Sequence, residues 1–314
     1  MRLGIYGNYT EKTVEFMVRT GFESIQIPVW QKSYINADIG SAELGEAMKN
    51  LEKNDIEVSA LGYYPNHMHP DAAQAKDAQE YMFKVIELAG RMGVKVIGTH
   101  AGSDPSFSVE RNLPRWKELF SRYVEAAEKQ NVVIALENCP MYDPSRREVN
   151  NIAYSPEIWG ELFSLIPSEN LGIEIDPSHM VWLGLDYVRA AYEFGHKIVH
   201  CHAKDAEVRR YETGYYSIFG RQLPANRRAN YSGNWWHPRI PGWGDVDWRK
   251  FIAALIEVGY KGNLDIEHED WIFANAFDKK VTITEEADIV NNMSTEEQGL
   301  ILGYNMLRPI IPHI

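Results

Sequence analysis

Residues 171–176 read Leu-Gly-Ile-Glu-Ile-Asp. The run is short, apolar and β-branched, and it closes on an acid, which suits a strand buried on both faces of a parallel sheet. The same shape recurs on either side. Residues 132–137 read Val-Val-Ile-Ala-Leu-Glu, 197–202 read Lys-Ile-Val-His-Cys-His, and 263–267 read Asn-Leu-Asp-Ile-Glu. Towards the N-terminus, 3–6, 24–28, 58–61 and 95–98 complete a set of eight strand candidates. Helical periodicity fills the intervals, most plainly over 71–92, 116–130, 155–165 and 248–258. Gly21, Gly93 and Gly259 fall just past helical ends, where a left-handed cap favours glycine. Strands alternating with helices predict a parallel α/β sheet, and eight is the number that closes a (β/α)8 barrel. One such domain over 1–314 is expected.

Two stretches depart from the alternation. Residues 206–246 are rich in Arg, Tyr, Trp, Gly and Pro and show no helical pattern, so they read as a long loop after strand seven. Loops of that length in a compact domain are usually functional. The tail 279–314 holds one helix candidate, 295–306, expected to pack on the outside.

Composition narrows the function classes. With 314 residues, 45% of them hydrophobic, the chain can bury a large core. A net charge of −12 with no basic block disfavours nucleic-acid backbones and anionic membrane surfaces. Cys139 and Cys201 are the two cysteines, too few for a disulfide framework, which points to a reducing, cytoplasmic setting. The first 16 residues carry no apolar signal core, and no run approaches the roughly 20 apolar residues of a membrane span. A homo-oligomer is expected.

Glu137, Asp176, His202 and Glu267 end four successive predicted strands. Strand ends of such a barrel converge on one face, where active sites sit. Three carboxylates and an imidazole make a hard, oxygen-rich set. It suits one divalent ion, Mn2+ first, with Mg2+, Co2+ and Zn2+ as alternatives. Polar groups cluster at the same level: His179 in Asp-Pro-Ser-His, His100 after strand four, and His237 and Arg239 in the loop after strand seven. His67 and His69 lie beside Pro65 and Pro70 and read as turn caps or extra ligands. Trp30, Trp235, Trp236 and Trp243 are candidate apolar walls for a ligand beside these groups.

The ordered runs Glu-Asn-Cys-Pro (137–140), Ile-Asp-Pro-Ser-His (175–179), His-Cys-His-Ala-Lys-Asp (200–205), 235–248 and Ile-Glu-His-Glu-Asp (266–270) resemble the xylose isomerase-like barrel superfamily. Within it they resemble the bacterial sugar phosphate isomerase/epimerase proteins, over nearly the whole chain. The resemblance implies that Glu137, Asp176, His202 and Glu267 hold the metal and that His179 touches a substrate oxygen. Ketose 3-epimerases of the superfamily carry an acid six residues after the first ligand, the place of Asp143 here. They carry an arginine six after the histidine ligand, where this chain has Val208 followed by Arg209 and Arg210.

Sugar isomerisation or epimerisation removes a proton beside a carbonyl. A divalent cation stabilises the enediolate as it forms, and carboxylates move the proton. Glu137 and Glu267 are the expected acid/base pair, with His179, His100, Asp143, Arg239, His237 and Trp30 as expected contacts to a small carbohydrate. No Gly-rich phosphate loop is present, which favours a free or oxidised sugar. Three other readings share these residues. One is a metal-dependent lyase or deglycosidase on 3-oxo-glycosides, with a small partner subunit. The others are an endonuclease IV-like phosphodiesterase and a non-catalytic sugar-binding barrel.

Overall fold

The computed structural model describes residues 1–143, 146–218, 235–270, 272–273 and 295–312. Eight parallel strands close a barrel: β1 (Leu3–Tyr6), β2 (Ser24–Pro28), β3 (Glu57–Gly62), β4 (Val96–Thr99), β5 (Val133–Glu137), β6 (Leu171–Ile175), β7 (Ile198–His202) and β8 (Leu264–Ile266). Closure comes from β1, which pairs with β2 on one edge and with β8 on the other. The protein is a (β/α)8 TIM barrel.

The outer layer follows from amphipathic helices. They are α1 (Glu11–Thr20), α2 (Ser41–Lys53), α3 (Ala72–Met92), α4 (Val109–Gln130), α5 (Pro156–Leu165), α6 (Pro177–Leu183), α7 (Tyr187–Phe194), α8 (Arg210–Tyr216), α9 (Trp248–Glu257) and α10 (Thr295–Leu307). Asp71 caps α3 through the backbone N–H groups of Ala73 and Gln74, and Gly93 ends it at φ 72°, in the left-handed region that glycine adopts freely. Leu, Ile, Val and aromatic side chains from strands and helices form one continuous core between the two layers.

Predicted and observed elements differ in two places, and the tail agrees. Helix α4 begins at Val109, not at 116, because Pro114 sits near its N-terminus and removes only one ladder bond, while Asn112, Trp116, Leu119, Phe120 and Tyr123 keep one buried face. The stretch 206–246 is not all loop. Asp205–Val208 pairs antiparallel with Trp236–Arg239, and α8 lies between them. Residues 219–234 of that stretch lie outside the described residues. The tail helix is present as α10, with Tyr304 edge-on to Phe22 outside the barrel. No helix among the described residues is long and apolar enough to cross a membrane.

Candidate metal centre

Each candidate ligand is placed by its strand. Glu137 is the last residue of β5, and its backbone carbonyl accepts from Asn151 Nδ2 at 2.9 Å. Asp176 follows β6 and is the N-cap of α6: its Oδ1 accepts from the backbone N–H of Ser178 at 2.8 Å. That bond commits one carboxylate oxygen to the helix. The other, Oδ2, is buried with no hydrogen-bond partner among the described residues. Asn138 fixes the peptide on both sides, donating to Asp176 O at 2.9 Å and accepting from Asp176 N at 2.7 Å.

His202 ends β7. Its Nε2 donates to Gln26 Oε1 at 2.5 Å, since an amide oxygen can only accept. This leaves Nδ1 facing the site, buried and without a hydrogen-bond partner among the described residues. Nδ1 lies 3.5 Å from Glu267 Oε2 and 3.8 Å from Glu137 Oε1. One atom each from Glu137, Asp176, His202 and Glu267 falls within 4.8 Å of all the others. Two buried atoms with no hydrogen-bond partner among the described residues, a carboxylate oxygen and an imidazole nitrogen, aimed into a cluster of that size fit a hard divalent ion.

The layer beneath is polar. Glu174, His200 and Asp265 are buried inside the barrel, one step along their strands from the ligands above. His200 Nε2 lies 2.9 Å from Asp265 Oδ2, and its Nδ1 lies 2.7 Å from Glu174 Oε1. Gln26 Nε2 donates to Glu174 Oε1 at 2.6 Å, so the amide that orients His202 is itself held by that acid. Tyr64 donates to Glu174 Oε2 at 2.6 Å, and Ser24 and Ser59 donate to Asp265. Burial opposes a charge on His200, but Asp265 and Glu174 raise it to about 9. Burial likewise opposes a charge on His202, and Glu174 and Glu267 raise it to about 10.

Other candidates divide. His179 accepts at Nδ1 from Trp182 Nε1 at 3.3 Å, which puts its proton on Nε2, 3.5 Å from Glu137 Oε1 and 3.4 Å from Asp176 Oδ2. His100 Nε2 lies 2.8 Å from Glu137 Oε2. Both histidines therefore join the site. Trp236 lies edge-on to His179 and stacks on Trp182, and Trp235 packs against the same ring. Trp30 is 38% exposed beside Tyr63, and Trp243 packs on Phe273. Asp143 lies in a short ladder with Glu148, facing Arg146. Arg239 is ion-paired with Glu207 and the buried Asp270, and His237 lies between Arg239 and Trp236 on the same strand. His67 is neither a cap nor a ligand: it is fully buried between Thr99 Oγ1 at 2.9 Å and Tyr123 OH at 3.1 Å. His69 does cap a turn, accepting from Asp71 N.

Sequence reasoning missed Gln26 and Lys204. Gln26 is a polar residue in the middle of Ser-Ile-Gln-Ile-Pro, a signal that the strand's inner face is not apolar. Lys204 is two residues beyond His202 and therefore on the same inward face. Its side chain is 2% exposed, with Nζ 2.5 Å from Glu267 Oε2, 3.1 Å from Glu269 Oε2 and 3.2 Å from Asp176 Oδ2.

Comparison with known proteins agrees with this architecture. The model of the xylose isomerase-like TIM barrel family matches residues 14–290. The chain belongs to that family. YfiH of Bacillus subtilis strain 168 is 26% identical over 295 residues, covering 83% of this chain and 88% of YfiH. Among solved structures, a D-psicose 3-epimerase in the presence of D-fructose superimposes with a TM-score of 0.70 at 17% identity, covering 99% of both chains. The probable 3-DHS dehydratase AsbF from Bacillus anthracis superimposes with a TM-score of 0.68 at 15% identity, covering 98% of this chain and 99% of that one. At such identities the likeness is one of fold, so the chemistry of this xylose isomerase-like barrel has to be argued from its own residues.

Proposed function

We propose that this barrel is a divalent-metal-dependent isomerase or epimerase acting on a small carbohydrate. The observation that carries the reading is the convergence of Glu137, Asp176, His202 and Glu267 within 4.8 Å, with Asp176 Oδ2 and His202 Nδ1 buried and without a hydrogen-bond partner among the described residues. Those four would hold the ion, Mn2+ in preference, and when bound it supplies Lewis-acid polarisation of a carbonyl and its neighbouring hydroxyl. Family membership and the sugar epimerases that share the fold support the substrate class.

The chain's own groups divide the remaining work. Glu137 and Glu267 come from β5 and from the end of β8, on different sides of the cluster, so they can address opposite faces of one carbon or two adjacent carbons. Burial opposes ionisation of both. His100, His179 and His202 nevertheless hold Glu137 well below the usual carboxylate range, and Lys204 and His202 depress Glu267. Both therefore rest as carboxylates able to accept a proton. His179 presents Nε2–H to a substrate oxygen. Asp176 and His202 only hold the ion.

The test is C–H exchange with solvent deuterium across ketoses, aldoses and 3-oxo-glycosides, in protein loaded with MnCl2. Glu267→Gln and Glu137→Gln keep an oxygen ligand and lose the base, so exchange should fall by about 10²–10⁴ with metal retained. Exchange at the wild-type rate in both variants would mean another base. Release of an aglycone or water along with exchange would make the enzyme a lyase.

A further inference from the structure

Two columns of side chains stand side by side on neighbouring strands, both pointing into the barrel. From β7 come His200, His202 and Lys204; from β8 come Asp265, Glu267 and Glu269. They meet as successive rungs, each pairing a basic side chain with an acidic one. His200 lies 2.9 Å from Asp265, His202 lies 3.5 Å from Glu267, and Lys204 contacts Glu267 and Glu269. The middle rung is the proposed metal centre. The top rung enters the proposed chemistry only by depressing Glu267, yet it buries a lysine almost completely.

A buried ammonium persists only where carboxylates compensate its desolvation. Lys204 has three, and two of them, Asp176 and Glu267, are candidate metal ligands. It approaches Asp176 at Oδ2, the oxygen the helix cap leaves free for the ion. Glu269, 45% exposed at its side chain, is the partner outside the ligand set. Among the described residues no other lysine or arginine is ion-paired with Glu137, Asp176, Glu267 or Glu269.

We propose that Lys204 is the internal counter-ion of the metal centre: its ammonium holds Asp176 and Glu267 together when no ion is bound, and withdraws onto Glu269 as a divalent cation enters. The inference rests on the metal reading above and adds a device that sets affinity. It keeps three like-charged groups assembled in advance of the ion. It also makes every incoming cation compete with a tethered one, so the site binds less tightly than its four ligands alone would allow.

Titration calorimetry of chelator-treated protein with MnCl2, with thermal melting beside it, tests this. Lys204→Met removes the competitor and keeps the side-chain length. It should bind Mn2+ on the order of tenfold more tightly than wild type, melt lower without metal, and recover towards wild type when saturated. Equal or weaker Mn2+ binding in Lys204→Met overturns the proposal. Should that variant not fold, Glu269→Gln decides alone. Without the alternative seat the ammonium stays on Asp176 and Glu267, so Mn2+ binding should weaken, and unchanged or tighter binding overturns it. If neither wild type nor Lys204→Met binds Mn2+, the metal reading falls. A lower melting point for metal-free Lys204→Met would then still support the counter-ion role, and an unchanged one would remove both.

Discussion

His67 shows how a single side chain can mislead when read from sequence. Its setting, beside prolines after a strand, suggests a cap or a ligand, but it is buried between Thr99 and Tyr123 and serves packing. Burial first, then the nearby His100, lowers its pKa to about 3. In the unfolded chain it titrates near 6.5, so the unfolded state binds the extra proton between those values. Stability from this group is therefore present above pH 6.5 and is lost as pH falls towards 3, by roughly 1.4 kcal/mol per pH unit. His67→Gln keeps a donor and an acceptor and does not titrate. Urea unfolding of the variant and wild type should give stabilities that converge as pH falls from 6.5 to 4.5, and a constant difference across that range would show that His67 carries no such shift. The four ligand candidates were legible for the opposite reason: each stands at a strand's end or one residue past it, and strand ends need no side-chain partner to be located. Lys204 went unread although alternation from His202 points it inward, because it lies past the strand's end, where alternation is no longer guaranteed. The partners of Arg239, Glu207 and Asp270, were hidden too, since they belong to pairings that only the folded loops create.

At the scale of elements, the eight strands and most helices were readable because β-branched runs and 3.6-residue periodicity are local signals. What escaped was the antiparallel pair Asp205–Val208 with Trp236–Arg239, whose register couples residues about 30 apart and leaves no local trace. Close approach inside the barrel is equally silent in sequence. A Cβ on Gly4 of β1 would overlap the Ser24 carbonyl oxygen and the Asp265 carboxylate. Gly4→Ala should therefore displace Asp265 from Ser24, Ser59 and His200, at about 1–3 kcal/mol or more of stability. Chemical denaturation of metal-free protein measures it. A variant as stable as wild type would show that β1 can move away without cost.

For the whole molecule, the interior of the barrel is a column of charge where an apolar plug would be more stable, and a bound ion would relieve part of its repulsion. Ligand that binds only the folded state adds RT ln(1 + [L]/Kd), about 2.7 kcal/mol at a hundredfold excess over Kd. MnCl2 at that excess should raise the melting temperature by about 4 °C over protein kept in chelator, and no shift would count against a metal centre among these residues. The alternation along the strands carries a last consequence, one of parity. Residues 200, 202 and 204 bring two imidazoles and an ammonium into the lumen, while the residues between them are Cys201 and Ala203, preceded by Val199. Losing or gaining one residue at the start of β7 would exchange the two sets and confront the acids of β6 and β8 with a thiol and two hydrocarbons. Such a chain can vary its loops by any number of residues, but strands that bear charge inward tolerate length changes only in even steps.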